Sequence, residues 1–413
     1  MFKNYLLTAY KVFMRRKLFT AINLLCIVLT LVVLMVVTAM LENILVPSGV
    51  EGKSGRLLTI STLRQSSTDG HARSTTPLGY KLIDKYLRPM KSASMVSAAS
   101  TAAPVSVYQG DSVTELDLRR VDANYWKILD FKLLAGRLPT LDDETQGRLV
   151  AVINESVAKQ LFPAGDAIGK PLDIGGQAFR VIGVVEDAPA NLNAYSEIWA
   201  PVTSFPTSTY KEAISGNFVA LLLAATPADV PRMQREVEQI AKLVAPTDQD
   251  MKVARFWADS RIDDVARGIL GNHDRRESGA GTLVAIIATM MLLFMLLPAL
   301  NLVNLNTGRM LERSSEIGIR KSFGATSMQL VGQFLVENTL LCLAGGLIGL
   351  AFTAVVLYWL EGSGLVPYLK VSLNLAAFGY CMLITLVFGI LSGLVPAWKM
   401  SRLDPVHALK GTA

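Results

Sequence analysis

The sequence predicts an α+β membrane protein: four transmembrane helices, with a large extracytoplasmic α/β domain between the first and the second. Three observations predict it. Apolar runs of the length a bilayer span requires, roughly 20 residues, occupy residues 18–41, 282–305, 330–360 and 375–398. Lysine and arginine gather before the first run, between the second and third, and after the fourth. That bias puts these segments and both termini on the cytoplasmic side. Residues 42–281 contain no span-length apolar run, so they form a folded domain outside.

Residues 1–17 carry Lys3, Lys11, Arg15, Arg16 and Lys17 and no acid. Phe2, Tyr5, Leu6, Ala9 and Phe13 recur at helical spacing. The segment reads as a basic amphipathic helix on the inner membrane face. The run over 18–41 is too long for the apolar region of a signal peptide, so it is the first span.

The outer domain repeats one pattern at its two ends, 50–118 and 206–259. A strand over 56–61 precedes a helix opened by Thr76-Pro77, with Leu78, Leu82, Ile83, Tyr86 and Leu87 on one face. Strand-like sequence resumes over 94–108. A strand over 217–224 then precedes a helix capped by Asp229, with Met233, Val237, Ile240, Ala241 and Val244 on one face. A strand over 252–257 follows. Two βαβ units predict a split ferredoxin-like layer. The insertion between them, 119–205, is strand-rich. It holds a strand over 149–153, a helix capped by Asn154, and a hairpin turning at Gly175-Gly176. Residues 260–281 are expected to extend the second span outward as a stalk, with a charged linker as the alternative.

Within the spans, Pro298 is expected to interrupt the second helix, and Asn301 and Asn304 suit contact with other helices, with a substrate pathway as the alternative. Gly345, Gly346 and Gly349 in the third span, and Gly389 and Gly393 in the fourth, have the small-residue spacing that lets helices approach closely. Glu337 stands near the inner end of the third span, where an ionisable residue is a functional candidate, although at that depth it can also snorkel or pair. Residues 361–374 form an outer loop and 399–413 a cytoplasmic tail.

The charged stretch 306–329 separates the second and third spans. Glu316 and Arg320 stand four apart, acid first, on one helix face. Gly324 suits a left-handed helix end, and Thr326 with Gln329 forms a capping box for the next helix. An ordinary basic inner loop is the simpler reading of this composition. The order of residues is more specific. Glu312-Arg313, then Glu316-Ile-Gly-Ile-Arg-Lys321, then Phe323-Gly-Ala325 resembles the cytoplasmic loop of MacB/FtsX-type ABC transporter permeases. A second set resembles the MacB-like extracytoplasmic core domain: Val121-Asp-Ala-Asn-Tyr125, Leu134-Ala-Gly-Arg137, Val152-Ile-Asn-Glu155, Ile168-Gly-Lys170 and Val181-Ile-Gly-Val-Val185. The tail string Ser401-Arg-Leu-Asp-Pro405 is similar to the end of the same family.

The resemblance implies a transport subunit without its own ATPase site. ATP and magnesium would be bound by a separate cytoplasmic ATPase dimer, and this chain would hold no cofactor. Glu312, Arg313, Glu316, Arg320 and Lys321 would contact the ATPase, with Ile317 or Ile319 as the apolar anchor and Gly318 allowing close approach. Hydrolysis would move the outer domain, a process called mechanotransmission, for export of a drug, peptide or lipid-like substrate. The implied partners are the ATPase, a second permease chain (a copy or a sister permease), and, in an export role, a periplasmic adaptor and outer-membrane channel. The implied location is the bacterial inner membrane. The alternative is an FtsX-like regulatory scaffold that controls a cell-wall hydrolase or a sensor.

The residues exclude several other classes. No phosphate-binding G-x-x-x-x-G-K-[ST] loop is present; Ala164-Gly-Asp-Ala-Ile-Gly-Lys-Pro171 lacks its first glycine and its hydroxyl residue. His71, His273 and His407 show no metal-ligand spacing. The net charge of +6 follows from basic residues beside the spans, so no nucleic acid is implied. Cys26, Cys342 and Cys381 all fall in spans and offer no disulfide framework.

Overall fold

The structure is a computed structural model that describes residues 11, 13–15, 17–45, 49–67, 73–109, 112–163, 165–190, 192–246, 251–273, 275–312, 319, 323, 326–363 and 373–401. The chain forms two compact units, one centred on residues 42–283 and one collecting 1–41, 284–363 and 371–413. In chain order, helix α1 (Lys17–Leu45) precedes strands β1 (Leu57–Ile60), β2 (Leu63–Ser66), β3 (Arg73–Thr76), β4 (Ala93–Ser100), β5 (Ala103–Gln109), β6 (Ser112–Val121), β7 (Leu133–Gly136) and β8 (Val150–Asn154). Helix α2 (Glu155–Leu161), β9 (Pro171–Ile174), β10 (Gln177–Val185), β11 (Ile198–Pro201), β12 (Phe218–Ala224), α3 (Val230–Leu243), β13 (Val253–Arg255) and α4 (Arg261–Leu270) complete the α/β unit. Long helices α5 (Ala280–Glu312), α6 (Ser327–Gly362) and α7 (Leu375–Ser401) follow.

Strand β12 lies between β1 and β4 and is antiparallel to both. It is apolar throughout because both of its faces are covered: Phe218, Ala220, Leu222 and Ala224 join one core, Leu221 and Leu223 another. On the first face pack Met233, Val237 and Ala241 of α3, with Leu82, Ile83 and Leu87 of the first crossover. That crossover starts later than the sequence suggests. Arg73–Thr76 pairs with β2 as strand β3, and Gly79 sits against the backbone of Ala213 and Ile214, so the helix opens at Tyr80 and not at Thr76-Pro77. The cap ahead of α3 is likewise one turn early: Thr226 and Asp229 form a capping box on a short 3-10 turn. The last strand of the second βαβ unit is displaced. β13 pairs with β2, and the bridge between Thr59 and Asp259 ties this returning segment to β1.

The strand-rich region is not a self-contained 119–205 insertion. Strands β6, β11, β8, β10, β9 and β5 pair in that order, and β5 closes back onto β6. The ring therefore recruits residues from 103 onward, and the expected boundary near 118 falls inside β6. Closure removes the free sheet edges that so many short strands would otherwise present. Ala151 and Ile153 of β8 face the ring core with Val107, Leu118, Phe179 and Val181. Val150 and Val152, on the opposite face, pack with Trp199. The hairpin between β9 and β10 turns at Gly175 and Gly176, both with positive φ of 59° and 81°, as a tight type I′ connection requires.

The second unit is helical. Ile27 packs where a side chain on Gly345 would stand, and Leu31 does the same at Gly349, so α1 and α6 run parallel. Met382 lies against Gly346 and Cys342 against Gly389, so α6 and α7 run antiparallel. Thr326 caps α6 with Gln329, as its sequence requires. α5 is continuous through Pro298, contrary to the expected interruption, and runs on to Glu312 into the charged stretch. Among the described residues two stretches, Thr20–Glu42 and Val331–Gly362, are long and apolar enough to cross a membrane; Ala280–Leu296 and Leu375–Leu391 are shorter apolar helical stretches. Leu25, Leu29, Leu347 and Phe352 are exposed on these helices, an apolar surface suited to lipid.

Candidate functional site

The segment 260–281 is not a helical extension of α5. It is a separate capped helix and a fastened loop. Ser260 accepts from the Asp263 amide, and Asp263 reaches back to the Ser260 amide, which closes the capping box at the start of α4. Gly271, at φ 69°, ends α4 in the left-handed conformation, and Gly279 turns the chain again before α5. Between these two turns Arg267 holds the loop. Its Nε donates to Asp259 Oδ2 at 2.8 Å, Nη1 to the carbonyls of Asn272 and Arg275 at 2.7 and 2.6 Å, and Nη2 to that of Arg276 at 2.9 Å. Arg267 is 5% exposed, and its guanidinium lies 5.4 Å from the centre of the Trp257 ring. The loop is fastened a second time where α5 begins. Ser278 Oγ donates to Asp263 Oδ1 at 2.5 Å and accepts from the Ala280 amide at 3.1 Å. One carboxylate thus ties the first turns of α4 and α5 together.

Asp259 is buried, and its carboxyl is pushed up to about 6. Loss of water is the larger cause; Arg267 pulls the other way, and the neighbouring Asp263 and Asp264 add to the rise. A different balance holds at Asp143, after β7. There Arg137 donates twice, at 2.6 and 3.0 Å, Arg148 once, and Thr140 completes a capping box. The Arg137 bonds come first among the causes that hold this carboxyl well below the usual range. Asp122 is a third hub. It accepts from the Ala98 and Tyr125 amides, from Ser97 Oγ and from Arg88 Nη2. Asp122 and Arg137 both belong to strings that carry the family resemblance, and here both fix loops. Among the described residues no three His, Cys, Asp or Glu side chains converge as a metal site would require.

The residues singled out in the sequence fall into three groups. Arg313, Glu316, Ile317, Gly318, Arg320, Lys321 and Gly324 lie outside the described residues, as do residues 1–10 of the N-terminal segment and the tail from 402. Of the charged stretch, Glu312 is the last residue of α5, and Ile319 is half exposed. Asn301 and Asn304 stand on α5 and Gly393 on α7. The structure brings together Gly345, Gly346, Gly349 and Gly389, each against a side chain of a neighbouring helix. Glu337 is 4% exposed on α6 and accepts from Gln333 at 3.1 Å; the next residue, Asn338, donates to the Gly389 carbonyl of α7. The Arg267 joint escaped the sequence reading. Its visible signals were the Ser260-x-x-Asp263 cap and Gly271, which together bound a short helix and exclude a stalk.

Two family models match this chain. A MacB-like periplasmic core domain matches residues 20–240, and an FtsX-like permease C-terminal domain matches residues 288–405. The chain belongs to the MacB/FtsX-type ABC transporter permease family. An uncharacterized ABC transporter permease of Bacillus subtilis, YknZ, is 26% identical over 76% of this chain and 74% of its own length. A macrolide export ATP-binding/permease protein MacB, from Wolinella succinogenes, is 27% identical over 74% of this chain but only 45% of its own length. This permease thus matches under half of that MacB protein. The periplasmic region of MacB from Actinobacillus actinomycetemcomitans aligns with 55% of this chain and 98% of that one, at 18% identity and a TM-score of 0.38.

Proposed function

We propose that this permease crosses the membrane four times, with both termini in the cytoplasm, and carries motion from a separate ATPase dimer to its outer domain for export. The observation that carries this reading is α5. It is one helix of about 50 Å at 1.5 Å per residue, with the Ser278–Asp263 fastening at its start and Glu312 of the charged stretch at its end. A push on the charged stretch would act on the helix that begins at the joint. The packing register supports the topology: α1 and α6 are parallel, and α7 returns antiparallel, as spans one, three and four of such a chain must be. ATP and magnesium would sit on the partner, which supplies the hydrolysis. In this chain Lys170 leads into strand β9, so no helix N-terminus stands there to receive a phosphate.

Topology is tested by cysteine labelling in a cysteine-free background. Ser156 is a poor position, because its hydroxyl donates to Asp187 and it is half-buried. Lys170, exposed, is better. Lys170→Cys should label from outside in intact cells, and labelling only after the inner membrane is opened would refute the topology. Coupling is tested by Glu316→Lys, which adds positive charge on the inner side and so leaves orientation intact. It should reduce ATPase co-purification or transport while the chain still inserts. Wild-type values for both would reduce 306–329 to an ordinary loop.

A further inference from the structure

Helix α4 is amphipathic in the wrong sense for water. Its charges turn toward the protein. Asp263 is bonded by Ser260 and Ser278, Arg267 holds Asp259 and three loop carbonyls, and Asp264 accepts from Ser61 Oγ at 3.2 Å. Its outward side is apolar. Ile262, Val265 and Ile269 stand at i, i+3 and i+7 and share a sector of about 60°. Ile269 is 66% exposed, and Ile262 and Val265 are half-buried. A helix on a water-facing surface shows the opposite order, polar out and apolar in.

α4 is also held at a fixed height. Its inward face meets the chain just ahead of α5 at both ends. Asp263 bonds Ser278, and Leu270 Cδ1 stands 2.7 Å from where a side chain on Gly279 would begin. α5 starts at Ala280, and residues 280–308 carry no charge. At 1.5 Å per residue that uncharged length is about 43 Å. A bilayer with its head groups is roughly 40–45 Å thick. A helix fastened to the start of that run stands at the head-group surface. We propose that α4 is an interfacial helix: Ile262, Val265 and Ile269 enter the boundary between head groups and acyl chains of the outer leaflet. That boundary is the surrounding in which an outward apolar stripe is favourable. The joint is then held by the bilayer as well as by α5. The placement rests on the four-span reading above, with α5 as the second span.

The full chain in phosphatidylcholine nanodiscs, with its native cysteines replaced, provides the test. A nitrobenzoxadiazole fluorophore is attached at Ile262→Cys, Ile269→Cys, Gly268→Cys, Lys170→Cys or Leu292→Cys. Quenching is measured with lipids spin-labelled near the head group or deep in the acyl chain. Gly268 lies off the stripe with open space around it, and Lys170 is exposed far along the outer domain. Leu292 is exposed near the middle of the uncharged run of α5. The shallow label should quench Ile262→Cys and Ile269→Cys about threefold more strongly than Lys170→Cys, with Gly268→Cys between. The deep label should quench Leu292→Cys. Quenching at Leu292→Cys with none at Ile269→Cys overturns the interfacial placement and leaves the span intact. Quenching at neither overturns both. A blue-shifted fluorophore at Ile269→Cys that no lipid label reaches also overturns the proposal, because a second copy or another segment of the chain then covers the stripe.

Discussion

In the outer domain the largest side chains are the best hidden: Trp199, Tyr125, Phe179, Phe218 and Phe256 are fully buried. In the helical unit the tight contacts form where a side chain is missing, at Gly345, Gly346, Gly349 and Gly389. The solvent explains the contrast. In water, burying a large apolar side chain is itself favourable, by about 1.5–3 kcal/mol. In lipid that gain vanishes, and close backbone approach with van der Waals contact has to hold the helices together. Both units bury a charged side chain with hydrogen-bond partners. The outer domain buries Arg267 on a carboxylate and three carbonyls. The helical unit keeps Glu337 beside an amide, Gln333.

The strongest way to break this comparison is at Arg267. Arg267→Met keeps the length of the stem but leaves Asp259 buried without its cation and strips the donors from three carbonyls. Removing one partner of a buried pair costs about 3–5 kcal/mol. Denaturant unfolding followed by tryptophan fluorescence should show a loss of that order. Arg137→Met is the control, since Arg137 is 50% exposed and Asp143 keeps Arg148. Its loss should be clearly smaller. Equal losses would mean that burial does not set the worth of these pairs.

Alanine at two glycines of α6 sharpens the other half of the comparison. At Gly332 an added Cβ meets nothing within 4 Å, and the change should stabilise the helix by up to about 1 kcal/mol. At Gly345 it would fall on the Ile27 side chain, 2.6 Å from its Cγ2. Overpacking there should cost about 1–3 kcal/mol. Thermal midpoints in detergent should therefore move in opposite directions. The same sign at both positions would show that close approach at Gly345 is not what holds α1 against α6.

Much of this was legible in the sequence, for physical reasons that differ by region. Gly345 and Gly349 could be read as one face because four-residue spacing places them there, whereas Gly346 turns to α7. β12 could be read as a strand because an apolar run bounded by polar residues has few other uses. The ring closure could not, because nothing local in Ala103–Gln109 says which of two sheets it will join; that is decided by pairing with β9, far along the chain. The joint was missed for a related reason. Arg267 looks like any polar residue of a stalk until Asp259 and the carbonyls around it are in place. The hydrophilic character of 260–278 was visible, but the burial of one arginine within it was not.

The smallest predicted effect separates two carboxylates of the same domain by pH. Asp259 has its carboxyl raised to about 6, chiefly by loss of water, and Asp143 has its carboxyl lowered, chiefly by Arg137. The consequences have opposite signs. A carboxyl raised in the folded state contributes stability that is full below the ordinary carboxylate range and is lost as pH rises through about 6. A lowered one contributes above that range and is lost as pH falls. Between pH 5 and pH 7, therefore, Asp143 stays ionised and contributes a constant term, while Asp259 gives up its proton and loses about 1 kcal/mol. Asp259→Asn removes the titration and keeps an oxygen for Arg267. The difference in unfolding free energy between wild type and Asp259→Asn should shift against the wild type by about 1 kcal/mol from pH 5 to pH 7. Asp143→Asn should lower stability by a similar amount at both values. A wild type that gained on Asp259→Asn as pH rose would show that Arg267, and not dehydration, governs the buried carboxylate at the joint.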